Sequence, residues 1–204
     1  MKLRILLTTV LIVFTNSIFS QEIASDEIEN GVRRIQSKYK TIDFENFFRY
    51  NLEKYICNGE NQYFIRGRSE ENEYHNFPND CKLLFKTFDG EIIELTSVLS
   101  ELVCLKDGVW EPTAYYPISL DQLNKIFTGI SKIRVEMLSY NKEKKTPFLD
   151  YPEKEFTKDK MGKQFKTMFD NIEKKELTKP KTKKSESGNE KGTSLERGDA
   201  SAGF

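Results

Sequence analysis

Residues Tyr115–Leu138, YYPISLDQLNKIFTGISKIRVEML, constrain the fold more tightly than any other stretch. Ser119 and Gln122 have the S-x-x-Q spacing of a capping box, in which each side chain satisfies the other's backbone N–H. Ile118 precedes the cap and can pack on Leu123 as a hydrophobic staple. Leu120, Leu123, Ile126 and Phe127 then share one helical face. Gly129 follows where a C-terminal residue with positive φ is wanted. Beyond it, Ile133, Val135 and Met137 alternate with Arg134 and Glu136, the period of a half-buried strand. Pro117 suits a strand end, where a missing donor costs little. The stretch therefore predicts strand, helix over 120–128, strand over 130–138. Burying three or four large side chains of such a helix is worth about 6–10 kcal/mol gross.

The N-terminus points to a compartment. Lys2 and Arg4 precede an apolar run, Ile5–Phe14, broken only by Thr8 and Thr9, and a small polar stretch ends at Ser20. This is the pattern of a secretory signal peptide over residues 1–20, cleaved before Gln21. The run is well short of the ~20 residues that span a bilayer. An uncleaved anchor is the rival reading. No later segment is long and apolar enough to cross a membrane, so none is expected after cleavage. The protein is expected to be exported, to the periplasm or beyond.

Charge excludes one class of partner. Lys and Arg number 32 and Asp and Glu 32, so no basic excess argues for nucleic acid. The run KPKTKK, Lys179–Lys184, could touch an anionic surface but reads more simply as a solubilising tail. Residues 176–204 hold almost no large apolar side chain and are expected to be a disordered tail.

Between the ends, one globular domain is expected over 41–175. Residues 21–40 read as a linker, either a weak amphipathic helix (Ile28, Val32, Ile35, Tyr39) or a disordered lead-in. Asp43–Ile56 reads as a helix with an apolar stripe, Phe44, Phe47, Phe48, Leu52, Tyr55 and Ile56, ended by Asn58-Gly59. Gln62–Arg68 reads as a strand and Ser69–Asp80 as an exposed loop. Lys82–Ser97 reads as a hairpin about Asp89-Gly90, the dipeptide of a two-residue type I′ turn. That register sets Thr87 opposite Ile92, Lys86 opposite Ile93 and Leu84 opposite Leu95, with both strands interior to a sheet. A turn at Asp107-Gly108 would extend the hairpin into a meander reaching strand 109–118. The stretch after Leu138, through Tyr151, reads as a polar loop. Thr157 is expected to cap a last helix, 157–172, carrying Met161, Phe165, Met168, Phe169 and Ile172. The fold class is then α+β: a mostly antiparallel sheet of about five strands with helices packed on one face.

Catalytic signatures are absent from the sequence. His75 is the one imidazole. Beside Glu71, Glu73 and Asp80 it could serve a hydrolase, but it reads more simply as a solvated loop residue. There is no glycine-rich phosphate loop, H-E-x-x-H or EF-hand pattern. No catalytic, cofactor-binding or metal-binding residue is assigned, and no cofactor is expected. Cys57, Cys81 and Cys104 lie in no metal spacing and read as small core residues, one disulfide being the alternative. Trp110, Tyr115 and Tyr116 read as packing residues rather than an aromatic binding surface.

The N-terminal pattern with Gln21 after the cleavage point, the hairpin CKLLFKTFDGEIIELTS and the unit YYPISLDQLNKIFTGISKIRVEM together resemble uncharacterised exported proteins of Bacteroidetes. The resemblance spans roughly residues 60–172. It implies compartment and fold and brings no activity, ligand or site residues. The expected function is a non-enzymatic binding domain for another protein or an envelope component, with the hydrolase as alternative.

Overall fold

The computed structural model describes residues 22–42, 48–69, 76–104, 110–141, 144 and 146–178. The expected signal peptide, the Asp107-Gly108 turn and nearly all of the expected tail lie outside them. Among the described residues the protein is mostly antiparallel β-sheet with two helices.

The larger sheet has seven strands. Its order is β1 (Ile23–Glu29), β2 (Val32–Ser37), β4 (Phe48–Cys57), β5 (Glu60–Ser69), β9 (Trp110–Ile118) and β8 (Leu99–Cys104), with β3 (Lys40–Ile42) also paired to β4. The smaller sheet has four, in the order β13 (Glu153–Glu155), β10 (Ile130–Val135), β6 (Lys82–Thr87) and β7 (Ile92–Thr96). A separate hairpin joins β11 (Met137–Asn141) to β12 (Thr146–Asp150). The helices are α1 (Leu120–Phe127) and α2 (Met161–Glu176). Both sheets are open.

The N-terminal third departs most from expectation. The weak helix or lead-in expected before residue 41 is instead β1, β2 and β3, and the helix expected over 43–56 is instead β4 where it is described. The deciding signals are two Asn-Gly pairs. Asn30 and Gly31 have φ of 51° and 80°, and Asn58 and Gly59 have 52° and 82°. Each pair closes a two-residue hairpin, with Glu29 facing Val32 and Cys57 facing Glu60. Positive φ at both central residues is what a type I′ turn requires. Asn58-Gly59 therefore reverses a strand and does not end a helix. Phe48, Tyr50 and Leu52 alternate toward the core, with β-favouring aromatic residues at two of the three positions.

The Asp89-Gly90 hairpin exists, shifted by one residue. Lys86 faces Ile92, Phe85 faces Ile93 and Leu83 faces Leu95. The turn is wider than expected: Thr87 N–H donates to Glu91 O at 2.9 Å, and Gly90 has φ of 94°. The loop is thus Phe88-Asp89-Gly90, the three-residue form with glycine at the positive-φ position. A one-residue slip exchanges the two faces of a strand. Here it gathers Leu83, Phe85, Ile93 and Leu95 on the core side. β6 is interior, but β7 forms an edge. The expected meander is broken, because β7 and β8 lie in different sheets while β8 pairs with β9.

The capped unit holds its form, except that Leu120, expected on the buried helix face, is exposed while Leu123 and Ile126 are buried. Ser119 Oγ accepts from Gln122 N at 3.1 Å and Gln122 Oε1 accepts from Ser119 N at 3.0 Å. Gly129 has φ of 125°. The helix connects β9 of the larger sheet to β10 of the smaller, so the flanking strands are not neighbours. The following strand breaks at Glu136, and most of the β11–β12 hairpin falls where a polar loop was expected over 139–151. The last helix starts four residues later than expected; Lys160 rather than Thr157 precedes it, and Asp159 accepts from Gly162 N of its first turn at 3.1 Å.

Helix α2 joins the two sheets. Phe165 meets Tyr50 of the larger sheet at a ring distance of 5.0 Å and Phe85 of the smaller at 5.7 Å. Met161, Met168 and Ile172 are buried beside it. The two helices approach closely at Gly162, where a Cβ would lie 2.6 Å from the Ile126 carbonyl oxygen.

Candidate functional site: a polar face on the larger sheet

Side chains alternate across a strand, so the larger sheet has two distinct faces. One presents Ile35, Tyr50, Leu52, Ile65 and Tyr116 to the core. The other carries Arg34 and Gln36 from β2, Arg49, Asn51, Glu53 and Tyr55 from β4, Arg66 and Arg68 from β5, and Glu111 and Tyr115 from β9. Register sets Gln36 opposite Glu53, Asn51 opposite Arg66, Arg49 opposite Arg68 and Arg66 opposite Tyr115.

Glu53 is fully buried and crowded by donors. Its Oε2 accepts from Arg34 Nη2 at 2.7 Å, Arg34 Nε at 3.0 Å and Tyr55 Oη at 3.0 Å. Its Oε1 accepts from Gln36 Nε2 at 2.9 Å and Asn51 Nδ2 at 3.5 Å. A buried carboxylate persists only when its lone pairs are met in this way. Burial works against the Arg34 charge, yet Glu53 holds its pKa above the ordinary arginine value. Burial, reinforced by the Glu53 charge, also pushes the Tyr55 hydroxyl well up.

Glu111 solves a second problem. Arg49 and Arg68 are directly opposed, an arrangement that destabilises a sheet when left bare. Arg49 Nη2 donates to Glu111 Oε1 and Arg68 Nη1 to Oε2, each at 2.9 Å. One carboxylate thus bridges both guanidinium groups.

Arg66 sits between these two clusters and joins neither by a hydrogen bond. It is 6% exposed. Its Nη1 lies 3.6 Å from Glu53 Oε1, and its guanidinium stands 5.0 Å from the centre of the Tyr115 ring. Arg68 covers the Tyr39 ring at 4.6 Å. Buried polar atoms without a hydrogen-bond partner include Arg66 Nε, Arg68 Nε, Tyr39 Oη and Asn51 Oδ1. The Tyr39 pKa is pushed up to about 12 by burial, against the pull of Arg66 and Arg68. Four arginines sit on this face, three of them bonded to Glu53 or Glu111, and register also places Glu27 opposite Arg34 and Glu101 opposite Thr113.

A groove of about 660 Å3 lies beside this sheet, lined by Gln62, Phe64, Pro117, Leu120 and Gln122 among others. It opens at the start of α1, but Ser119 and Gln122 already occupy two of the backbone donors there. Among the described residues, no group of three or more His, Cys, Asp or Glu side chains could hold a metal ion. No described helix is long and apolar enough to cross a membrane.

The residues weighed from sequence fall elsewhere. His75, Glu71 and Glu73 lie outside the described residues, and Asp80 is exposed on a turn. Lys179–Lys184 also lie outside them, as do the side chains of Trp110 and Cys104. Tyr115 is on the polar face, whereas Tyr116 is in the core, its hydroxyl 3.1 Å from Cys81 Sγ. Cys81 is buried and free, while Cys57 is free but exposed rather than a core residue. The arginines and glutamates of the polar face carried no signal in sequence order. Their trace is alternation: Arg49, Asn51 and Glu53 on one arm of the Asn58-Gly59 hairpin, Arg66 and Arg68 on the other.

No protein-family model matches the chain, and no curated protein matches it. Among solved structures, the human pre-T cell receptor crystal structure aligns at 10% identity and a TM-score of 0.23, covering 58% of this chain and 93% of that chain. A likeness that low supports no inference about fold or function.

Proposed function

We propose that this chain is a non-enzymatic, exported binding domain that engages another protein or an envelope component through the polar face of its larger sheet. The N-terminal pattern supports export. The observation that carries the binding reading is Arg66, buried on Tyr115 with its Nε unpartnered while Glu53 and Glu111 are engaged by other donors. Arginine and tyrosine dominate the energetics of recognition surfaces, because each offers a large contact area with a directional polar tip. The surrounding ion pairs hold Arg34 and Arg68 in fixed geometry, so little side-chain freedom is lost on binding.

The test is retention of components from envelope extract of the producing cells on immobilised protein. Wild type is compared with Tyr115→Ala, on the face, and Lys132→Gln, on the smaller sheet. A component retained by wild type and Lys132→Gln but lost by Tyr115→Ala supports the reading. Equal retention by all three overturns it. So does a hydrolytic activity abolished by His75→Ala.

A further inference from the structure

We infer that Arg66, Arg68 and Tyr39 form a binding site for an oxyanion, a carboxylate or a phosphate group. The inference rests on the binding role of this face and names the chemistry it recognises. A guanidinium has five donors and no acceptor, and a phenol hydroxyl is a donor to any anion. Arg66 makes no hydrogen bond at all among the described residues, and the 3.6 Å to Glu53 Oε1 is too long for one. Glu53 cannot turn to serve it without breaking the bonds from Arg34, Tyr55 and Gln36. Arg68 commits Nη1 to Glu111, leaving its buried Nε without an acceptor. Tyr39 lies under the Arg68 guanidinium with its hydroxyl buried and unpartnered.

The shortage is thus specific. The Nε groups of Arg66 and Arg68 and the Tyr39 hydroxyl lack acceptors, and an oxyanion supplies them. Charge-assisted bonds from guanidinium to carboxylate or phosphate are short and strong, and the planar fork favours two-point contact. The Tyr115 ring beneath Arg66 holds that fork in place. Leaving such donors dry is costly, so their retention in a buried setting is better explained by use than by packing.

The test uses the full chain and NMR of arginine Nε–Hε groups. Sodium acetate and sodium phosphate are titrated separately at constant ionic strength, with sodium chloride as control. The expected result is a saturable shift of the Arg66 and Arg68 signals with at least one oxyanion and none with chloride. Saturation by acetate alone identifies a carboxylate ligand, and saturation by phosphate alone a phosphate ligand. Arg66→Gln should weaken binding about tenfold or more, the loss of one charge-assisted hydrogen bond. If that variant does not fold, the wild-type titration decides. Signals that move with neither oxyanion, or drift alike in chloride, overturn the inference. Absence of any oxyanion response in a wild-type protein that still retains its partner would refute this inference and leave the broader binding role standing.

Discussion

Arg33 on β2 closes the C-terminal end of α2 by donating to the Glu176 carbonyl at 2.9 Å. The same guanidinium reaches Lys175 O at 3.1 Å and Thr178 O at 2.8 Å, while Nε holds Asp26 Oδ1 at 2.9 Å. The last carbonyls of a helix lack intrahelical partners and carry partial negative charge. A residue near the start of the domain therefore caps the helix that ends it.

Arg33→Met should lower stability by about 2–3 kcal/mol, since it strips three carbonyls and leaves the buried Asp26 with Lys175 alone. Urea denaturation measures the loss. Hydrogen exchange should accelerate first in the last turn of α2, and Arg33→Lys should recover only part of the stability. An unchanged urea midpoint would show that the cap is dispensable.

Glu53→Gln should cost about 3–5 kcal/mol, because it leaves buried cationic partners without a countercharge. The control is Glu153→Gln, which breaks an exposed pair with Arg134 and should change little. Comparable losses in the two variants would mean that burial does not set the strength of these pairs.

Alkaline pH should destabilise the fold. Burial opposes the Lys54 charge, but hydrogen bonds with Glu173 and Glu176 outweigh it and raise its pKa above 10.5. Burial raises Tyr39 from 10.0 to about 12. In both cases the folded chain keeps a proton that the unfolded chain has begun to release. Their contribution is therefore full below about pH 10 and is lost as pH rises beyond it. The urea midpoint should fall above that pH, and Tyr39→Phe should flatten the fall. A midpoint that rises there would contradict the assigned shifts.

Ser119→Ala should cost about 1 kcal/mol through the lost N-cap. Gly129→Val should cost more. Its φ of 125° is unfavourable for any Cβ, and that Cβ would crowd Phe88 at 3.0 Å and Asp159 at 3.1 Å. Thermal melts of the two variants give the order, and a smaller loss at Gly129 would refute it.

What the sequence determined by itself is local. Ser119, Gln122 and Gly129 bound α1 because caps and positive-φ positions act over a few residues. The Asn-Gly pairs at 30 and 58 are equally local signals of tight hairpins, although their meaning is plain only once the flanking segments are known to be strands. The stretch 43–56 shows why. Its apolar residues fit a helical stripe, and its alternation is hidden because the second face of β4 is buried too, by charge rather than by hydrocarbon.

Only the tertiary structure decided which charges are buried. Glu53 and Arg66 look like ordinary surface residues in the chain, and they become a buried cluster when β2, β4, β5 and β9 align in register. The same dependence fixed the β6–β7 hairpin. Asp89-Gly90 permits either a two- or a three-residue loop, and burial of Leu83, Phe85, Ile93 and Leu95 in the core, Phe85 against Phe165 of α2, selects the latter. A turn dipeptide restricts backbone angles, but register and ion pairing draw their free energy from partners distant in sequence, so no local window contains them.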